Sequence, residues 1–176
     1  GKPGDKVAIS RTAHRSVLSA LVIAGLEPIW MSPEIDSATG VPIGIALTEL
    51  EKALTQNPIA VLLTEPGYLG TLSDLKPLID AAHKKSIPVI VDAAWGGHFG
   101  FHPDLPAHVI AQGADALVTS VHKALPGYSA SALLLATTKF ISAERLEQSF
   151  ETTHTTSPAG APLASIDAVR ALLQTR

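Results

Sequence analysis

The sequence contains no cysteine among its 176 residues, and aromatic side chains make up only 5% of it. Without cysteine the chain cannot build a disulfide framework, a thiolate zinc site or a cysteine nucleophile. Charged residues are also sparse, at 16%, whereas hydrophobic residues reach 46%. A chain of this length and hydrophobicity can bury a sizeable core, so the composition predicts one folded domain rather than a disordered segment.

A strong charge of one sign is missing as well. Lysine and arginine number 13 against 16 acidic residues, the net charge is −3, and the basic residues form no run. This balance argues against nucleic acid or an anionic membrane as a partner. The longest apolar stretch, near Val17 to Leu26, is broken by Ser19 and Gly25 and is too short to span a bilayer. We therefore expect a cytoplasmic protein.

The motifs of several other chemistries are absent. Neither a glycine-rich phosphate loop nor a Gly-x-Ser-x-Gly elbow occurs, so dinucleotide binding and serine hydrolysis have no support. His98 and His102 raise the question of a metal site, but Phe-Gly-Phe separates them and no HExxH pattern is present. No metal site is therefore predicted. His83 and His108 fall in predicted helices and are expected to be ordinary surface residues.

Short apolar runs alternate with helical segments along the chain. Strands are predicted at 6–10, 27–31, 59–64, 88–92, 116–119 and 132–136, and helices at about 13–24, 48–56, 71–85, 105–112, 142–151 and 164–174. Thr71 and Asp74 have the spacing of a capping box at the start of the third helix. Such alternation gives right-handed βαβ units, and only about ten residues join the last two strands, too few for a parallel crossover. The predicted fold is a three-layer α/β/α domain whose sheet is mostly parallel with one antiparallel strand.

Polar residues follow two neighbouring apolar strands. Asp92 ends the strand at 88–92, and Ser120, His122 and Lys123 follow the strand that begins at Ala116. Open α/β sheets bind ligands at the carboxyl ends of their strands, so these side chains are expected at one edge. A lysine that is partly desolvated there becomes a usable nucleophile. The alternative is a lysine that caps the strand end and extends into solvent.

Spacing alone leaves two interpretations of Asp92. A carboxylate at the end of an apolar strand is costly to bury unless it is paired. One possible partner is Lys123, in a structural ion pair. The other is the protonated ring nitrogen of a pyridine cofactor, which a carboxylate holds in its charged form.

Four motifs of the chain are similar to those of one enzyme family. They are Gly-Asp-Lys-Val with Arg-Thr-Ala-His14-Arg-Ser, Val-Asp92-Ala-Ala-Trp-Gly-Gly-His-Phe-Gly-Phe-His-Pro, Gly-Ala-Asp-Ala-Leu-Val-Thr-Ser120-Val-His122-Lys123, and His-Thr-Thr-Ser157-Pro. Together they span most of the chain in the family's order. The chain therefore resembles the major domain of the Orn/Lys/Arg decarboxylase family, whose members are pyridoxal 5'-phosphate (PLP) enzymes of the aspartate-aminotransferase fold, fold type I.

The resemblance implies that Lys123, His122 and Asp92 form the catalytic group. Lys123 would form a Schiff base with PLP and later return a proton to the substrate carbon. Asp92 would bind the pyridine nitrogen, and Ser120 and His122 would contact the phosphate.

Four further residues would shape the cofactor site, again by resemblance. His14 would stack on the ring, with Ala94 on the opposite ring face and Trp95 on the substrate side. Thr155 would approach the cofactor of a neighbouring subunit, because sites of this family are usually shared across a dimer. The alternatives are a helix N-terminal role for His14, a core position for Trp95, and a helix cap at Thr155 to Ser157, which we favour for that segment.

The implied reaction is PLP-dependent decarboxylation of arginine, lysine or ornithine to the corresponding amine, in a homodimer or higher homo-oligomer. Two alternatives are another PLP-dependent reaction, such as transamination or elimination, and a catalytically inert domain. We expect residues 1–176 to be the PLP-binding major domain without the family's upstream phosphate-binding turn and its C-terminal small domain.

Overall fold

A six-stranded sheet forms the centre of the computed structural model, which describes residues 1–174. The strands are β1 (Lys6–Ser10), β2 (Glu27–Met31), β3 (Glu34–Ile35), β4 (Pro42–Gly44), β5 (Ala60–Thr64), β6 (Val89–Asp92), β7 (Ala116–Ser120) and β8 (Ala132–Ala136). The large sheet has the order β2-β1-β5-β6-β7-β8, while β3 and β4 pair separately. Its neighbours are parallel except β8, which is antiparallel to β7. The predicted sheet is confirmed.

Helices cover both faces of this sheet. They are α1 (Arg15–Ala24), α2 (Leu47–Leu54), α3 (Leu75–Lys84), α4 (Ala143–Thr153) and α5 (Gly160–Gln174). On one face α2 and α3 bury apolar side chains such as Leu50 and Leu78 against Val61 and Val89. On the other face Leu21 of α1 packs near the β1 side chains. Burying each large aliphatic side chain contributes about 1.5–3 kcal/mol, which explains why the inner strands are almost continuously apolar.

Gly25 ends α1 as the sequence indicates. Its backbone adopts φ 64°, and its N–H donates to the carbonyls of Leu21 and Val22. This left-handed conformation closes the last turn of a helix and is open to glycine without steric penalty. The chain can then reverse into β2, whose predicted bounds match the observed ones.

Three local predictions were wrong. The segment 105–112 forms turns rather than a helix, because the Pro106 carbonyl accepts from Gly100 and holds the chain in a loop. The capping box does not form: α3 starts at Leu75, and the Thr71 hydroxyl donates to the carbonyl of Pro42. The segment 32–44, for which the sequence predicts neither strand nor helix, contains the β3–β4 pair. The Thr71 contact joins residues 29 apart, which local spacing does not encode.

Candidate cofactor-binding site

The register of three parallel strands brings their polar ends together. Thr64 of β5 pairs with Asp92 of β6, and Asp92 pairs with Val118 of β7, two residues before Ser120. The segment Ser120 to Lys123 therefore leaves the sheet at the same edge as Asp92. Carboxyl edges of this kind are where open α/β sheets hold ligands.

Asp92 is half-buried, and its Oδ1 accepts from the Ala94 backbone N–H at 3.1 Å. No ion pair joins Asp92 to Lys123 in the described part of the chain. The structural ion pair, one of the two interpretations of Asp92, is therefore not formed. A carboxylate held at the rim by a single backbone donor retains acceptor capacity for another group.

Lys123 is exposed, so the expected desolvation of its amine is absent. Its neighbours Ala124 and Pro126 are exposed too and do not cover it. The Nζ atom lies 4.9 Å from the ring centroid of Trp95, a cation–π distance. Trp95 is itself 42% exposed and contacts Tyr68 edge-on at 6.5 Å. The alternative of a core position for Trp95 is therefore wrong.

His122 is fixed by a hydrogen bond from its Nδ1 to the Ser131 carbonyl, 2.7 Å away. A carbonyl only accepts, so Nδ1 carries the proton and Nε2 is the nitrogen left for other contacts. Nε2 can donate to an anion only when the ring is protonated. Ser120, largely buried, precedes this residue by two positions and pairs with Ala132 of β8.

His14 lies at the same edge, where β1 leads into α1. Its Nδ1 accepts from the backbone N–H of Ser16 at 3.3 Å and lies 2.8 Å from the Ser16 hydroxyl. The helix N-terminal role, one of the two interpretations, is therefore present. The ring is exposed, and stacking on a cofactor stays a prediction.

Thr155 is exposed in the loop between α4 and α5. Its hydroxyl accepts from the backbone N–H of Ser157 at 3.2 Å. Because α5 begins at Gly160, the helix-cap interpretation of this segment is wrong. The role of Thr155 at a neighbouring subunit stays a prediction.

The remaining histidines do not gather around a common point. In residues 1–174 no group of three or more histidine, aspartate or glutamate side chains could hold a metal ion. His98 contacts Phe99 edge-on, and its buried Nδ1 has no hydrogen-bond partner in the part of the chain that the structure describes. His102 accepts from the Asp104 backbone N–H at 3.2 Å. His108 is half-buried and lies outside any helix.

The expectation for His83 was wrong. Its Nε2 lies 2.8 Å from a carboxylate oxygen of Asp115, and its ring packs on Phe140 at 4.8 Å. Asp115 is only 1% exposed and also accepts from the Val89 backbone N–H at 2.8 Å. These contacts close the amino edge of β6 and β7, opposite the candidate site. A buried carboxylate needs such partners, so this one is structural.

Sequence reasoning missed two polar residues at the carboxyl end of β5. The Thr64 hydroxyl is buried and has no hydrogen-bond partner within residues 1–174, which leaves it available to a ligand. Glu65 follows it, is 2% exposed, and accepts from the Ser73 backbone N–H at 3.0 Å. Burial raises the pKa of Glu65 to about 7, against the opposing effect of the Ser73 hydrogen bonds. The strand-end argument used for Asp92 applies equally to both residues.

Comparisons with known proteins agree on one family and one fold. The sequence model of "Orn/Lys/Arg decarboxylase, major domain" matches residues 1–176. The chain is 39% identical over 175 residues to an arginine decarboxylase of Bacillus subtilis (strain 168), covering 98% of this chain and 36% of that relative. The chain thus spans well under half of this relative's length.

Solved structures support the fold. A chain in a SepCysS–SepCysE N-terminal domain complex superposes with a TM-score of 0.75 at 22% identity, over 100% of this chain and 48% of that one. A PLP-bound putative aminotransferase from Clostridium difficile 630 gives a TM-score of 0.73 at 14% identity, over 99% and 48%. At such identities the likeness concerns the fold alone. In the described residues no helix is long and apolar enough to cross a membrane.

Proposed function

Because the chain belongs to the Orn/Lys/Arg decarboxylase family, matching its major domain over residues 1–176, we propose that it binds PLP and supports decarboxylation of a basic amino acid. In this proposal residues 1–176 form the PLP-binding major domain. One observation carries it: Asp92 and Lys123 follow neighbouring parallel strands to the same edge without pairing with each other.

The side chains at this edge fit the chemical groups of PLP. Asp92 offers an unpaired carboxylate for a protonated ring nitrogen, and the exposed amine of Lys123 is accessible to an aldehyde. His122 presents Nε2 as its free ring nitrogen, suited to a phosphate when the ring is protonated. Beside Asp92, the buried hydroxyl of Thr64 lacks a hydrogen-bond partner among the described residues, as expected where a polar ligand supplies one.

PLP, when bound, supplies an electron sink for the electron pair left by departing CO₂. Asp92 keeps a proton on the ring nitrogen, and the Ala94 N–H orients that carboxylate for the purpose. Lys123 Nζ would hold the cofactor and would return a proton to the substrate carbon after CO₂ has left.

The surrounding residues bind the phosphate and pack against the ring of the cofactor. Ser120 and His122 hold the phosphate, and the Ser131 carbonyl fixes the orientation of the His122 ring. His14 covers one face of the cofactor ring, and Ala94 packs on the other. Trp95 forms an apolar surface beside Lys123 on the substrate side.

Arginine is the proposed substrate, since the relative at 39% identity is named an arginine decarboxylase. The product is then the corresponding amine, a polyamine precursor. We also propose a cytoplasmic homodimer in which Thr155 reaches the partner's cofactor. The exposed position of Thr155 is compatible with such a contact, and the lack of cysteine fits a reducing compartment.

Trapping the cofactor tests the proposal. The protein is incubated with PLP and reduced with borohydride, and the modified peptide is mapped. We expect a pyridoxyl group on Lys123 and none in Lys123→Ala. Lys139→Ala is the matched control, since Lys139 is also exposed and lies 5.0 Å from an aromatic centroid, that of Phe140. Equal labelling of both lysines would contradict the proposal.

The reaction type needs a separate assay. Release of CO₂ from arginine without formation of a 2-oxo acid identifies a decarboxylase, whereas the oxo acid identifies transamination. A loaded protein that yields neither product is the inert alternative.

A further inference from the structure

A cavity of about 240 Å³ opens beside the ends of β1 and β5, at the same edge of the sheet as Lys123. Its walls are mostly apolar, with polar groups from residues that include Ser10, Thr12, Glu65 and Ser73. One enclosed water requires roughly 10–15 Å³, so this cavity has room for a group of several heavy atoms. Apolar walls with a few placed polar groups are typical of small-molecule sites.

Glu65 is incompletely satisfied in this cavity. It is 2% exposed, and among the described residues Ser73 alone donates to it: the backbone N–H lies 3.0 Å from both carboxylate oxygens, and the Ser73 side chain also contributes a hydrogen bond. Within the described residues no lysine, arginine or histidine pairs with it. A carboxylate has about four acceptor positions, and its burial is favourable only with a charged or strongly donating partner. The raised pKa of Glu65 has the same cause, since burial disfavours its charged form.

An aromatic surface connects the cavity to the catalytic lysine. Tyr68 lines the cavity, is 84% exposed, and meets Trp95 edge-on at 6.5 Å. Trp95 in turn lies 4.9 Å below the Nζ of Lys123. A basic amino acid carries its reacting carbon at one end and its cation at the other, joined by an apolar stem. A stem of this kind suits a path from Lys123 across two aromatic rings.

We propose that Glu65 and its cavity receive the charged end of the basic substrate. This inference rests on the proposed function, because it places the amino-acid end of that substrate at Lys123. The cation supplies the partner that the buried carboxylate lacks, through charge-assisted hydrogen bonds. A substrate with a neutral end lacks this charge-assisted contact and binds more weakly for that reason.

The alternative role of Glu65 is purely structural. In that case the carboxylate only accepts from Ser73 and stabilises the segment that leads into α3. Glutamine keeps an oxygen that can accept the same hydrogen bond but carries no charge. Glu65→Gln therefore separates the two roles.

The test measures binding rather than turnover. Calorimetric titrations of the natural full-length polypeptide carrying this chain use arginine and citrulline, whose side chains match in shape but differ in charge. We expect Glu65→Gln to weaken arginine binding at least tenfold and to change citrulline binding less than twofold. Glu65→Asp keeps the charge and should retain more of the arginine affinity than the glutamine variant.

The matched control is Glu49→Gln. Glu49 also accepts from a backbone N–H, that of Ser32 at 3.1 Å, but it does not line the cavity. We expect this variant to bind both ligands as the wild type does. Circular dichroism and PLP loading, measured as the borohydride-trapped fraction at Lys123, are expected to be unchanged in all three variants.

Proton release provides a readout that needs no variant. The pKa of Glu65 is about 7, so at pH 7 roughly half of the Glu65 side chains are protonated. Arginine binding favours the charged form and releases that fraction of a proton, whereas citrulline binding does not. Among the described residues that line the cavity, Tyr68 is the only other one with an ionisable side chain. The neighbouring cavity that Glu65 also faces has no ionisable side chain besides Glu65 in the described part of the chain.

Failure of this inference differs from failure of the proposed function. If Lys123 is loaded and arginine loses CO₂, but Glu65→Gln binds arginine as tightly as the wild type, the inference is overturned and the function stands. If no CO₂ is released, yet arginine binds in a Glu65-dependent manner with proton release, the subsite stands and the reaction is wrong. Wild-type protein that binds neither ligand, or both equally, overturns the inference.

Discussion

The buried carboxylates at the two edges of the central sheet differ in their hydrogen-bond partners. At the amino edge, Asp115 accepts from His83 and from the backbone of Val89. At the carboxyl edge, the donors to Glu65 among residues 1–174 all belong to Ser73, and the neighbouring Thr64 hydroxyl has no partner in the same residues. Buried polar groups in a folded protein are normally satisfied, so these exceptions support our proposal that a ligand binds at the carboxyl edge. The hydrogen-bonded groups at the amino edge stabilise the fold, whereas the groups at the carboxyl edge remain available to a ligand.

The largest effect of a substitution is expected on activity, at the carboxyl edge of the sheet. Asp92→Ala removes the carboxylate proposed to hold a proton on the cofactor ring. We expect decarboxylation to fall by about 10²–10³-fold or more, as for other losses of a preorganised electrostatic partner. Thermal unfolding should be nearly unchanged, because the Asp92 side chain makes one hydrogen bond, to Ala94. Full activity in this variant would remove Asp92 from the mechanism.

At the amino edge, replacing an aspartate by alanine should lower stability instead of activity. Asp115→Ala leaves His83 and the Val89 N–H without their acceptor in a buried site. We expect a loss of about 3 kcal/mol in the free energy of unfolding, measured by urea denaturation. Asp115→Asn is the control, since it keeps an acceptor and should lose less. PLP loading of the folded fraction is expected to be normal, and defective loading would link the two edges.

The pH dependence of the free energy of unfolding tests the burial of the Glu65 carboxylate at the carboxyl edge. Burial raises the pKa of Glu65 from 4.5 to about 7, so the folded state binds the proton more tightly than the unfolded state. The stabilisation is therefore fully present below pH 4.5 and is lost as the pH rises to 7. The total is about 3 kcal/mol, taking 1.36 kcal/mol for each pH unit. Urea titrations between pH 4.5 and 7.5 should show this slope in the wild type and a smaller slope in Glu65→Gln. Equal slopes would place the Glu65 carboxylate in solvent.

The smallest effect concerns His14, which has a structural and a proposed binding role. His14→Ala removes the N-terminal cap of α1 and should lower the free energy of unfolding by about 1 kcal/mol. His14→Ser supplies another capping side chain and should recover most of that stability. Neither variant restores stacking, so both should bind PLP more weakly, as followed by cofactor absorbance. Full PLP affinity in His14→Ser would show that His14 serves only as the N-terminal cap of α1.

The sequence predicts the residues at the carboxyl edge of the sheet better than those at the amino edge. Strand alternation and polar strand ends are local signals, and they are sufficient to bring Asp92 and Lys123 to one edge. His83 was misjudged because its partner Asp115 lies 32 residues away and is reached only through the β6–β7 pairing. Local periodicity carries no information on such a contact.

Glu65 was missed for a related reason. Its position at a strand end was visible, but its burial depends on the Ser73 segment folding back over it. The exposure of Lys123 agrees with the alternative of a lysine that extends into solvent and not with the expected desolvation, since covering a loop lysine requires groups that strand patterns do not specify.

A crystal structure of the natural full-length polypeptide with PLP tests the central claim most directly. We expect continuous density between Lys123 Nζ and the cofactor, with an Asp92 carboxylate oxygen within hydrogen-bond distance of the ring nitrogen. Cofactor bound at the amino edge beside Asp115, or bound without any contact to Asp92 and Lys123, would contradict the account.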